Sequence, residues 1–199
     1  MIAIIDNYDS FTYNLFHYVE EIDEKVDVFR NDEVSIEQLE AYSHIIISPG
    51  PGLPQEVLFL EEIFAKYART KSILGVCLGM QAMVQHYGGE LYNLPHVLHG
   101  RQGTCLMLKK DPLFKDVKSP FLIGHYHSWG VNAKGMPENV SVLARDSEDR
   151  IMVIKHNTDS VYGIQFHPES ILCPDGKKII QNWLEETRST SKSVFLFDL

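Results

Sequence analysis

Short apolar runs separated by amphipathic stretches organise the first ninety residues. Residues 2–5 (IAII), 44–47 (HIII) and 72–76 (SILGV) carry no acidic or basic charge apart from one histidine and are rich in β-branched side chains. That pattern predicts strands buried on both faces. Residues 25–30 (KVDVFR) alternate and read as a further strand. Between these runs, residues 11–21 place Leu15, Tyr18, Val19 and Ile22 on one apolar stripe after the turn-forming DNYDS at 6–10, which predicts a helix with a polar cap. Residues 35–42 predict a short helix with a serine cap, residues 55–69 a third, and residues 78–87 a fourth. The alternation βαβαβαβα predicts a doubly wound, mostly parallel α/β sheet with helices on both faces and its site at the carboxyl ends of the strands.

Past Gly88 and Gly89 the pattern changes. Residues 104–108, 121–126, 140–144, 151–155 and 161–166 read as strands joined by turns at 132–139 and 146–149 with little helix between them, a small antiparallel extension of the sheet. A last helix is expected over residues 177–187, behind the turn Pro174-Asp175-Gly176. Residues 188–193 are polar and expected to be loose, and 194–199 are apolar enough to pack on the domain or on a partner. The expected division is a domain over residues 1–188 and a tail over 189–199.

Composition narrows the classes of function. A net charge of −9 with no basic stripe argues against a nucleic-acid surface. No apolar run reaches membrane-spanning length, and residues 1–6 carry neither a charged leader region nor a cleavage site. Cys77, Cys105 and Cys173 are odd in number and widely spaced, with no C-x-x-C, which suits a reduced, cytoplasmic protein.

Cys77 stands between the strand at 72–76 and the helix at 78–87, flanked by Gly75 and Gly79. This is the G-x-nucleophile-x-G pattern of a strand-to-helix elbow, with Cys for Ser. An elbow lifts the side chain above the carboxyl edge of a sheet and sets it at a helix N-terminus, where negative charge is favoured. A buried structural cysteine fits the same stretch equally well. A nucleophile needs a base and a group to orient that base. Of nine histidines, His167 stands out because Pro168 biases it towards extended backbone, so that His167 and Glu169 would project to one side. A surface His-Pro turn is the competing reading. Pro49-Gly50-Pro51-Gly52 leaves another strand at the same edge, and the N–H groups of Gly52 and Leu78 are candidates for an oxyanion hole. Phosphate binding is the weaker use of this loop, because neither G-x-x-x-x-G-K-[ST] nor G-x-G-x-x-G occurs.

Taken together, PGPG at 49–52, GVCLGMQ at 75–81, HGR at 99–101, HYHSWGV at 125–131 and GIQFHPES at 163–170 resemble the class I (triad) glutamine amidotransferases, over residues 1 to about 187. The resemblance implies a flavodoxin-like fold and hydrolysis of L-glutamine to glutamate and ammonia through a thioester on Cys77. It implies His167 as base and acid and Glu169 as its orienter, with Gly50, Pro51, Gly52, Gln81, Ser128 and Trp129 on the substrate. Within that family, NYDSFTYNL at 7–15 with PGPG, HGR and YHS looks most like the glutamine subunits of anthranilate synthase and aminodeoxychorismate synthase. Such a subunit delivers ammonia to a chorismate-binding component I. No cofactor or metal is expected in this chain; Mg²⁺ and chorismate would belong to the partner. A stand-alone amidase or peptidase of the same elbow architecture is the alternative from another class. Two positions depart from the subfamily: Met80 stands where His is usual, and His125 where Arg more often precedes YHS.

Overall fold

A computed structural model describes residues 1–22 and 25–194. Nine strands form one sheet in the order β2-β1-β3-β4-β9-β8-β7-β5-β6. β1 (Ile2–Asp6), β2 (Val26–Arg30), β3 (His44–Ile47), β4 (Ser72–Val76) and β9 (Val161–Ile164) run parallel. β5 (Leu91–Met107), β6 (Phe121–Val131), β7 (Val140–Asp146) and β8 (Ile151–His156) extend the sheet in antiparallel fashion from β9. Strands β1, β3, β4 and β9 are buried at every position, as strands covered on both faces must be. One core layer gathers Leu15, Val19, Ile180 and Trp183 against the sheet, the other Leu60, Ile63, Phe64 and Met83. The helices responsible are α1 (Thr12–Glu20) and α4 (Gly176–Val194) on one face, α2 (Leu58–Tyr67) and α3 (Leu78–His86) on the other. Among the described residues no helix is long and apolar enough to cross a membrane.

Several expected elements differ in the structure. Residues 35–42 form only a five-residue 3-10 turn, Glu37–Ala41. Gln38 and Ser35 satisfy each other through side chain and backbone, and nothing propagates the turn into an α-helix. The third helix begins three residues late. Pro54 opens a separate 3-10 turn, and the Glu56 carboxylate accepts the Leu53 N–H at 2.7 Å. The strand expected at 104–108 is the end of a 17-residue strand, β5, whose pairing with β6 extends to Leu91↔Val131. Residues 188–193, expected loose, continue α4, whose last described residue is Val194. The tail packing expected of 194–199 falls almost wholly outside the described residues.

The junction of β4 and α3 is very tight. A methyl group on Gly75 would overlap the Gly79 backbone carbonyl, and one on Gly79 would meet Ile47 O at 2.7 Å. Helix α3 thus lies directly on β4 and β3. Gly75→Ala should destabilise the fold by about 2 kcal/mol through overpacking. For a chain of this size, thermal unfolding should shift down by about 4–8 °C. An unchanged melting temperature would contradict this close packing.

Candidate active site

β4 and β9 pair in parallel, with Gly75 opposite Gly163 and Val76 opposite Ile164. Both chains therefore leave the sheet at the same edge, and the Cys77 N–H donates to Ile164 O at 2.7 Å. Cys77 takes φ 51°, ψ −98°, a backbone conformation that side chains rarely adopt. The turn into α3 sets its sulfur beside the first turn of that helix, where the Leu78 N–H has no intrahelical partner.

His167 and Glu169 do come together, but not along an extended segment. Ser170 N–H donates to His167 O at 3.2 Å, closing a tight turn across Pro168 and Glu169. His167 Nδ1 lies 2.7 Å from Glu169 Oε1, and the two residues are only 1% and 2% exposed. The carboxylate sits off the direction in which the ring N–H points, so the contact is an ion pair rather than an aligned hydrogen bond. His167 N–H donates to Gly124 O at 3.1 Å, tying the turn to β6. The imidazole is flanked by Phe11, ring centroids 5.5 Å apart, and Tyr126, 4.8 Å apart. Burial alone would strip the second proton from His167. The Cys77 sulfur and the Glu169 carboxylate, both favouring the charged ring, outweigh it, and the imidazole is pushed up to about 10. Cys77 is thus near enough to act on the imidazole electrostatically, the relation a nucleophile and its base need. Burial pushes the Cys105 and Cys173 thiols up, Cys173 to about 12, so neither offers a thiolate at neutral pH.

A cleft of about 210 Å³ opens onto Cys77. Gly50, Pro51 and Gly52 form one wall, Val97, His99, Tyr126, His127, Ser128 and Trp129 the other, and Gln81 lies behind. Every predicted substrate residue therefore borders the same space as the sulfur. The PGPG loop is held from β1. Asn7 donates from its backbone to Ser48 Oγ at 3.0 Å and from its side chain to Ser48 O at 2.9 Å. Gly52, at φ 76°, is in the left-handed region that glycine adopts without penalty.

Two contributors, Gln165 and Tyr126, carried no expected role. Gln165 Nε2 lies 3.5 Å from Cys77 Sγ, and Gln165 Oε1 accepts from Gln81 Nε2 at 3.4 Å. Gln81 Nε2 also donates to Trp129 O at 3.2 Å, so an amide chain joins the sulfur to the far wall. Tyr126 packs on His167 and its hydroxyl lies 3.1 Å from Ser170 Oγ. Gln165 follows β9 directly and Tyr126 sits within HYHSWGV, so only their place in the motifs marked them. Among the described residues one further group could in principle ligate a cation: Asp9 beside His167 and Glu169, with ligand atoms within 4.8 Å of one another. Two of those three are the buried ion pair itself.

A cysteine at a strained elbow, a buried imidazole–carboxylate pair and a cleft lined by amide donors and carbonyl acceptors can together perform acyl transfer from a small polar amide. The model of the class-I glutamine amidotransferases matches residues 3–187. The chain belongs to this family. It is 41% identical over 194 residues to anthranilate synthase component 2 of Pseudomonas aeruginosa, covering 94% of this chain and 96% of the relative. It is 39% identical over 190 residues to aminodeoxychorismate/anthranilate synthase component 2 of Bacillus subtilis, covering 94% and 97%. A solved glutamine amidotransferase of Thermotoga maritima shares the fold at TM-score 0.71 and 16% identity, covering 96% of this chain and 84% of that one.

The raised His167 value has a signed consequence. A group whose folded value exceeds its unfolded value adds stability below the unfolded value, here about 6.5, and loses it as pH rises through the folded one. The free-energy difference between the native protein and His167→Gln should therefore shrink between pH 6.5 and 10 in urea unfolding. In an imidazole NMR titration, Glu169→Gln should lower the His167 midpoint. A midpoint that does not move would remove Glu169 from the pair.

Proposed function

We propose that this chain is the ammonia-producing subunit of a two-chain, chorismate-using synthase, working as a glutaminase. The observation that carries the reading is the Cys77–His167–Glu169 constellation at the mouth of a cleft bordered by Gln81 and the Ser128-Trp129 backbone. The Cys77 sulfur, its proton held by His167, attacks the side-chain carboxamide carbon of glutamine. The oxyanion that forms is within the province of the Gly52 and Leu78 N–H groups, each donor lowering the barrier by about 3–4 kcal/mol. His167 then passes its proton to the leaving nitrogen, ammonia departs, and a γ-glutamyl thioester remains on Cys77. Water, deprotonated by His167, attacks the thioester and releases glutamate, returning the proton to the sulfur. Glu169 holds the imidazolium through both halves without itself carrying the proton.

Relatives named as second components of anthranilate and aminodeoxychorismate synthases support a chorismate-binding component I as the partner. Anthranilate synthesis is the first assignment, within tryptophan formation. The Bacillus relative, named for both activities, keeps aminodeoxychorismate as the second. Mg²⁺ and chorismate are assigned to the partner and no cofactor to this chain. Three unpaired cysteines support a reducing, cytoplasmic setting.

Purified with component I, the Cys77→Ser variant should lose glutamine-dependent product by about a thousandfold or more while retaining product made from added ammonium. Survival of both activities would remove Cys77 from the chemistry. Co-purification from the native cell, with the bound synthase chain identified, decides between the two products.

A further inference from the structure

His125, the residue that departs from the subfamily pattern, is buried in β6 and touches the back of the cleft wall through a second histidine. His125 Nδ1 lies 3.1 Å from His127 Nε2, and His127 Nδ1 lies 2.8 Å from Trp129 O. A carbonyl oxygen can only accept, so the proton of His127 resides on Nδ1. Its Nε2 is then an acceptor, and His125 Nδ1–H must be the donor to it. The one ring nitrogen left, His125 Nε2, faces Asp146 Oδ2 at 3.9 Å. Asp146 is itself fixed, accepting from Arg150 Nε at 2.8 Å and from the backbone N–H groups of Glu148 and Arg150 at 2.9 Å each. Gly103 leaves the space for the ring: a methyl group there would overlap His125 Nε2.

We propose that His125 and His127 are a two-imidazole positioning relay that sets the direction of the Trp129 carbonyl and, through Gln81 and Gln165, links it to the Cys77 sulfur. The inference deepens the glutaminase reading and rests on it for the identity of the ligand. The connected path runs Asp146, His125, His127, Trp129 O, Gln81, Gln165 and Cys77 Sγ, each contact given above. Trp129 O accepts from both His127 and Gln81, so its orientation is determined from two sides. If His125 were absent, His127 Nε2 would have no donor, and the ring could adopt the other tautomer, which offers the carbonyl no hydrogen.

The charges around the pair suit this arrangement. His127 faces His125, Arg150 and His167, and burial pushes it down to about 4. His125 faces Asp146, Arg150 and Glu148, and burial lowers it despite Asp146. Burial thus disfavours charge on both rings, and with His127 neutral its Nε2 stays free to accept from His125 Nδ1–H. A first added proton is best placed on His125 Nε2, towards Asp146, which leaves the Nδ1–H donation to His127 intact.

The first test needs no variant. Imidazole ¹⁵N spectra of the folded full chain at neutral pH should show His127 as the Nδ1–H tautomer with an unprotonated Nε2. A His127 Nε2–H form would overturn the relay. The second test measures glutamine-dependent product in the complex with component I, with ammonium-dependent product as the control for folding and assembly. His125→Ala should raise the KM for glutamine about fivefold, with kcat within about twofold and the ammonium reaction unaffected. His125→Gln and His125→Arg, which keep an N–H donor, should restore the native KM. Equal KM values for the alanine and glutamine variants would overturn the donor role. A native complex with no glutamine dependence would instead refute the glutaminase reading, and the spectra would still decide the relay.

Discussion

The parallel pairing of β4 with β9 is the constraint on which the site depends. Cys77 and His167 are far apart in the chain, and no local structure can bring them together. Two adjacent strands running the same way have their carboxyl ends side by side, and the register from Ile73↔Val161 to Val76↔Ile164 fixes how far each chain extends before it turns. The hydrogen bond from Cys77 N–H to Ile164 O locks that register at the last possible rung. A slip of one residue would reverse every side chain on the strand and move the imidazole away from the sulfur.

From that rung the two chains turn in different ways, each at a cost that the surrounding packing offsets. Cys77 holds a positive φ, worth about 1–3 kcal/mol of strain, inside a junction where Gly75 and Gly79 let helix and strand touch. The His167 turn buries an ion pair, which is favourable only if both charges stay matched. Phe11 and Tyr126 flank the imidazole, and the backbone N–H of His167 is satisfied by Gly124 O. The same low-polarity surroundings that make an unmatched charge costly also strengthen the interaction that keeps the imidazole protonated.

The parallel half of the fold was legible because its strands are covered on both faces, so apolar runs such as residues 2–5 and 72–76 are uninterrupted. The β5–β6 ribbon was legible only at its base, around residues 104–108 and 121–126. Between Leu91 and Gly103 most side chains are exposed, Pro95 and Gly100 break the pattern, and register shifts occur between Asn93 and Leu98 and between His99 and Arg101. Periodicity fails where a strand has no consistently buried face. The site divided along similar lines. Cys77, His167, Glu169 and the 49–52 loop were found because the elbow and the proline-marked turns are local signals. The amide chain through Gln165 and the pairing of His125 with His127 depend on which strand lies opposite which, and nothing in the residue types alone announces that.

This division has a physical consequence for the cleft. Its floor belongs to the sheet edge, which is held by hydrogen bonds on both sides of β4 and by two core layers. Its far wall belongs to a two-stranded ribbon that leaves the sheet after three residue pairs with β7. A ribbon of two strands has little stability of its own in water. Its position over Cys77 must therefore come from specific attachments: Val131 and Leu94 buried beneath it, Asn132 N–H on Glu90 O, His167 N–H on Gly124 O, and the hydrogen bonds that converge on Trp129 O. Apolar anchors such as Phe121, Ile123 and Val131 root the ribbon in the core, and polar contacts set the direction of the wall nearest the cleft. Polar contacts are directional, and each is worth little net free energy. A carbonyl held from two sides, as Trp129 O is by His127 and Gln81, is therefore well defined in direction where it borders the cleft.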